Sequence, residues 1–371
     1  MTVDTVLVTG AFGQVGRRCC ETLLSRGRRV IALGRHTDTA VTVAGKLAGL
    51  ALPGRLLPAY VDILDSAAVR TVVTEYRPDA IVHLAAVLAP VSYRNPGLAR
   101  RINVEGTRNL VNSAQSLRRA PLLVEASSAS VYGSRNPYRY PELITAETPV
   151  NPIDHYGEDK VLSEMIVRDS GLPYAVMRLS AVISPDGAAK RDSTYLLLMR
   201  ALPRDNRLHA VDARDVGLAF ANAVDSGERI NAMTLLIAGD DSFRLLQRDL
   251  EDDLAQAVGL GRLGPSVALP GDPTDDRGWA FTGWFDTSAS EALLRFQDHD
   301  WSDTLEWIAQ SQKRSRTALL RALSPVLRPA IRRILAVQRR RDRRGEYADP
   351  WTLIQEKFGS EVLASTSIES R

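Results

Sequence analysis

The stretch "TVLVTGAFGQVGRR", residues 5–18, constrains the fold more than any other part of the chain. An apolar, β-branched run passes through Gly10, Gly13 and Gly16 into a helical pattern. The first glycine permits a tight turn, the second lets backbone approach a pyrophosphate, and the third allows close packing of helix on strand. Backbone N–H groups at the start of such a helix favour negative charge. Residues Gly10, Gly13, Gln14, Val15 and Gly16 are therefore expected to cradle a dinucleotide.

The pattern continues beyond this turn. "RRVIALG", "AIVHLAA" and "PLLVEASS" read as further buried strands, and helical patterns run over 14–26, 66–76 and 98–117. Strands alternating with helices at this spacing indicate parallel βαβ units. The expected fold is α/β: a Rossmann-like doubly wound parallel sheet with a small C-terminal substrate lobe and an appended helical basic tail. Residues 1–180 would form the NAD(P)-binding part, with 211–239 returning to it. Residues 181–210 and 240–310, rich in loops such as "SPDGAAKRDS" and "LGPSVALPGDPTDDRG", would build the substrate lobe, and 311–371 the extension.

Composition narrows the setting. The two cysteines, Cys19 and Cys20, are adjacent and have no third to staple loops, which suits a reducing compartment. No leader-like segment precedes the first strand and no run of 18 apolar residues occurs, so a cytoplasmic protein is expected. Charge is uneven. From residue 313 onward there are 14 Lys and Arg against 6 Asp and Glu, and before it 33 against 38.

The second strand ends in "ALGRH", where an NAD-binding turn usually carries an acid for the ribose hydroxyls. Arg35 stands there instead, and its planar fork suits a 2′-phosphate. NADP is thus favoured over NAD.

"DHYGEDK", residues 154–160, places Tyr156 and Lys160 four apart, on one face of a helix. Only five lysines stand against forty-two arginines, so whatever favours arginine here has left a lysine at 160.

Taken with "VDILD" at 61–65, "HLAA" at 83–86, "INVEGTRNL" at 102–110, "SSASVYG" at 127–133 and "VDARDVGLAF" at 211–220, these motifs resemble the extended short-chain dehydrogenases/reductases, the NAD-dependent epimerase/dehydratase family. The resemblance covers residues 3–310. It implies that Asp62 and Ile63 contact the adenine and that Leu84, Ala85 and Ala86 line the pyrophosphate and nicotinamide ribose. Asn103 would order the active-site helix, and Ser128, Tyr156 and Lys160 would form the catalytic set, with Tyr156 and Lys160 also touching cofactor.

Such chemistry couples a hydride to proton transfer at the substrate oxygen. A free tyrosine, with a pKa of about 10, would be brought down by the Lys160 ammonium and the oxidised nicotinamide, and Ser128 would hold the oxygen in place. Ser127 and Ser130 are read as strand-end serines, His83 and His155 as structural, and Asp212 and Asp215 as caps or anchors of the following helix.

Two departures narrow the reaction. Family dehydratases carry an Asp-Glu pair after the catalytic serine, where this chain has Ala129 and Ser130. Nucleotide-sugar epimerases show an asparagine where "RLSA" has Ala181. The resemblance therefore implies an oxidoreductase acting on a small carbonyl or alcohol substrate, with a nucleotide-sugar epimerase as the alternative. A non-catalytic, membrane-associated dinucleotide-binding protein is the third reading, and a homodimer the expected assembly.

The tail reads as two helices divided at Pro325 and Pro329, the second ending at Gly345, with an apolar stripe of Leu320, Leu323, Leu327, Ile331 and Ile334. Its first reading is packing on the body or a second subunit. Contact with an anionic membrane surface is the alternative. Nucleic acid is disfavoured because aromatics are not interleaved with the arginines.

Overall fold

The computed structural model describes residues 3–186, 201–264, 268–280, 283–341 and 345–364. Seven strands form one parallel sheet: β1 (Thr5–Thr9), β2 (Arg29–Gly34), β3 (Arg55–Tyr60), β4 (Ala80–His83), β5 (Leu122–Ser128), β6 (Tyr174–Leu179) and β9 (Met233–Ile237). Their order is β3-β2-β1-β4-β5-β6-β9. The expected doubly wound sheet is borne out. β7 (Ala181–Ile183), β8 (Arg207–Asp212) and β10 (Arg244–Leu246) make a second sheet, with β8 parallel to β7 and antiparallel to β10.

Alternate side chains of the main strands feed two cores. Val6 and Val8 face helices 16–25 and 213–226, where Cys19, Cys20, Leu23, Phe220 and Val224 pack. Leu7 faces the opposite side, against Val69, Val73, Leu110 and Val167. With both faces covered, every residue of β1 and β4 is buried, which is why these strands read as unbroken apolar runs. The cysteines are free core residues, and burial pushes the Cys19 thiol up to about 12.

The 98–117 pattern is a composite. A short helix, Pro96–Arg100, widens into a π-helical turn at Arg101–Glu105 and resumes as Gly106–Gln115.

The tail departs from expectation. One helix of 28 residues runs Arg314–Arg341 with Pro325 and Pro329 inside it. The Arg321 carbonyl, which Pro325 deprives of its backbone donor, accepts the Ser324 hydroxyl at 3.0 Å, so the ladder is locally repaired. The expected end at Gly345 falls beyond residues 342–344, which lie outside the described residues, as do 187–193 of the "SPDGAAKRDS" segment and 265–267 of the next loop.

After Gly345 the chain folds back. Trp351, Ile354 and Val362 pack with Tyr93 and Ile153, and the Ala364 N–H donates to the Ile153 carbonyl at 3.0 Å. Trp351 Nε1 donates to the Trp279 carbonyl at 2.8 Å.

Candidate active site

Because the main strands are parallel, their carboxyl ends share one edge of the sheet. The residues singled out in sequence gather there: Gly10 after β1, Arg35 after β2, Asp62 after β3, Leu84 after β4 and Ser128 at the end of β5. β1 and β4 are neighbours whose connections run in opposite directions, the switch point where such folds bind ligands.

At the glycine turn, Gly10 has φ +63°, and a Cβ on it would lie 2.8 Å from the Leu84 carbonyl carbon. A Cβ on Gly16 would lie 2.2 Å from Gly10 O, so the helix starts against the turn only because that atom is missing. Gly13 is exposed, and its Cβ would meet Gly10 O alone, at 3.2 Å; backbone here is open to a ligand. Val15 is the helix N-cap, and Gln14 Oε1 accepts the Ser184 hydroxyl at 2.9 Å. These features fit a pyrophosphate. Arg35 is exposed beside the turn. Asp62 is exposed and its carboxylate accepts from Leu64 N at 3.0 Å, while Ile63 is buried against Gly106.

Thr9 and Asn103 shape the crevice wall. Thr9 Oγ1 accepts from the N–H groups of Leu84 and Ala85, both at 3.1 Å, and bonds His83 Nδ1 at 2.7 Å. Asn103, in the π-helical turn, accepts from Val87 N at 2.8 Å and donates to Val87 O at 3.1 Å and Asp159 Oδ2 at 3.4 Å. The loop carrying Leu84, Ala85 and Ala86 is thereby tied to the helix carrying Tyr156.

That helix, His155–Arg168, is capped by Asp154, which accepts from Gly157 N at 2.8 Å. Tyr156 and Lys160 are both buried. Gly157 lies flat on the 129–132 turn; a Cβ there would be 2.4 Å from Ser130 O. This close approach sets Ser128 against Tyr156. At the far end, Glu164 receives the Arg178 fork at 2.8 and 2.9 Å and the Ser127 hydroxyl at 2.5 Å. Burial pushes the Glu164 carboxyl up, but Arg178 outweighs it and holds it below its usual range.

Lys160 Nζ donates to the Ala126 carbonyl at 2.6 Å and stands 3.8 Å from Glu125 Oε1. The Tyr156 phenol lies beside Ser128. Burial pushes the phenol well above its ordinary value, Ser128 pulls it back, and Asp154, Glu125 and Asp159 raise it further.

Beside Ser128 lies a cavity of about 60 Å³ lined by Ile144, Leu179, Ala181, Leu208 and Phe285. His209 also lines it, but Nε2 bonds Gly239 O at 3.0 Å and Nδ1 accepts from Phe285 N at 3.0 Å. Burial lowers its pKa to about 4.

Sequence reasoning passed over Thr9, Gly157 and Glu125. Two left a signal: a glycine inside a helix costs about 1 kcal/mol against alanine, and an acid interrupts the apolar run "PLLVEASS". His83, read as structural, bonds Thr9 and Thr107. Asp212 caps helix 213–226 through Arg214 N at 2.7 Å, and Asp215 bonds His299.

Residues 6–210 match the family described as the NAD dependent epimerase/dehydratase family. The chain belongs to that family. Among curated family members, UDP-glucose 4-epimerase 2 of Oryza sativa subsp. japonica is 36% identical over 170 residues, 45% of this chain and 40% of its own length. D-erythronate dehydrogenase of Cupriavidus necator is 28% identical over 169 residues, 44% of this chain and 49% of its own. The match thus spans less than half of these relatives. Among solved structures, UDP-glucose-4-epimerase from Stenotrophomonas maltophila, with bound NAD and formylated UDP-arabinopyranose, superposes with a TM-score of 0.66 at 20% identity. That alignment covers 86% of this chain and 100% of the other.

Proposed function

We propose that the protein is an NAD(P)-dependent oxidoreductase acting on a small ketone or secondary alcohol. The observation that carries this reading is Ser128 and Tyr156 held together beside a small, largely apolar cavity. Bound nicotinamide cofactor would supply or take up the hydride. Ser128 holds the substrate oxygen by a hydrogen bond. Tyr156, kept protonated by burial, gives its proton to that oxygen in reduction and takes it back in oxidation. Lys160 and Asn103 fix the geometry of the helix and the facing loop. The apolar walls receive a small apolar substituent, and the absence of an asparagine at Ala181 argues against a sugar diphosphate.

The cofactor proposed is NADP in preference to NAD, with Gly10, Gly13, Gln14, Val15 and Gly16 at the pyrophosphate and Asp62 and Ile63 at the adenine. Arg35 supports the preference, because it stands exposed where a ribose-binding acid would otherwise be. The assembly proposed is a homodimer, for which the exposed Leu98 and Met165 on adjoining helices offer a surface.

Nucleotide-sugar epimerisation is the second reading, favoured by the identity to a UDP-glucose 4-epimerase. The test is turnover with a panel of small ketones and secondary alcohols, followed by nicotinamide absorbance. Tyr156→Phe is expected to lower kcat by about 10²-fold or more while leaving cofactor binding intact, and Arg35→Ala to lower the NADP to NAD preference. Conversion of a UDP-sugar with no net absorbance change would replace the oxidoreductase reading with the epimerase one.

A further inference from the structure

The 314–341 helix meets the body along one side only. Thr317, Leu320, Ser324, Leu327, Arg328 and Ile331 are half-buried. A Cβ on Gly259 would lie 2.9 Å from Thr317 O, and Arg332 donates to the Leu263 carbonyl, so a glycine-containing loop is the surface it lies on. The adjoining face is open. Leu319, Leu323, Val326, Ile334 and Val337 are 45 to 72% exposed. With Ala330 they recur at spacings of three and four, one continuous stripe along a helix about 42 Å long at 1.5 Å per residue.

Charge decides what can cover that stripe. From Lys313 to Arg341 there are ten Lys and Arg and no Asp or Glu. A second copy laid on the same face would bring arginines against arginines. No aromatic residue lies in 314–341 to stack on bases. The partner must be apolar along the whole stripe and anionic at its edges. No helix among the described residues is long and apolar enough to cross a membrane, so this one would lie on a surface.

We propose that this face docks the protein on a lipid bilayer containing anionic headgroups. Leu319, Leu323, Val326, Ile334 and Val337 enter the acyl boundary, while arginines such as Arg316 and Arg333 reach the phosphates. The stripe is separate from the cavity beside Ser128, so the proposal does not depend on the reaction.

The experiment is flotation of the whole protein with vesicles of phosphatidylcholine, and with vesicles in which a third of the lipid is phosphatidylglycerol. Binding to the second kind only, weakened at half-molar salt and reduced at least ten-fold in Leu323→Ser/Val326→Ser, is the expected result. Both substituted side chains are open, and an unchanged melting temperature checks the fold. Failure to float with anionic vesicles overturns the proposal, as does equal binding by the double variant. Light scattering that shows the variant breaking a dimer would assign the face to a second copy. A DNA duplex bound more tightly than the vesicles would assign it to nucleic acid. Either result overturns the proposal too.

Discussion

Between Tyr156 and Lys160 stands a glycine whose missing side chain sets the spacing of the candidate site. Gly157→Ala would put a Cβ 2.4 Å from Ser130 O, a backbone atom that cannot swing aside. The helix and the 129–132 turn must then separate, drawing Tyr156 from Ser128. We expect kcat/KM to fall about 10²-fold and stability by about 1–3 kcal/mol, measured by steady-state kinetics and urea unfolding. Gly45, in helix 38–49 with nothing within 4 Å of its Cβ position, is the control. Gly45→Ala should stabilise by about 0.5–1 kcal/mol. At this scale the sequence was legible where residue type and spacing carry the geometry, as at the close approaches of Gly10 and Gly16 and at the 156/160 pair on one buried helix face. It was not legible at Glu125, whose effect on Lys160 depends on β5 and the 155–168 helix coming together in space.

Elements with a period of their own were readable, and those defined by their neighbours were not. β3 escaped because Pro58 interrupts it; the strand survives since it is the edge, paired only with β2, with its other side free of the ladder. The break expected at Pro325 is absent because a serine hydroxyl substitutes for the lost donor, which periodicity does not reveal. Nothing in the order of residues announced that helix Pro350–Phe358 packs on Tyr93 and on Ile153, just before the 155–168 helix. Trp351 is its main anchor, 6% exposed. Trp351→Ala is expected to cost about 3–5 kcal/mol and to speed amide exchange at residues 153–158. Exchange that is faster everywhere except there would show that the anchor does not brace the active-site helix.

For the molecule as a whole, pH acts through buried imidazoles and through buried carboxyls such as Asp215. His209 joins the small sheet to the Gly239 end of β9 and to Phe285, and burial holds its pKa near 4. The unfolded chain takes up this proton near pH 6.5, the folded chain only near 4. The His209 contribution to stability is therefore complete above pH 6.5 and falls as pH drops towards 4, by up to about 3 kcal/mol, while Asp215, which burial raises to about 6, acts with the opposite sign in the same window. His83 is lowered too and acts with the same sign as His209. Urea titrations across that window should give a slope that flattens in His209→Gln, an amide able to donate and accept at the same two partners; an unaltered slope would remove His209 as the cause. The return of residues 350–364 to Tyr93 and Ile153 also has a meaning in time. The brace is made about 200 residues after the helix it supports, so at 5–20 residues per second a growing chain carries that helix unbraced for roughly 10–40 s. Over that interval Tyr93 and Ile153 would lack the cover that Trp351, Ile354 and Val362 give them, and a chaperone that shields apolar surface would find its substrate in the unfinished chain rather than the finished one.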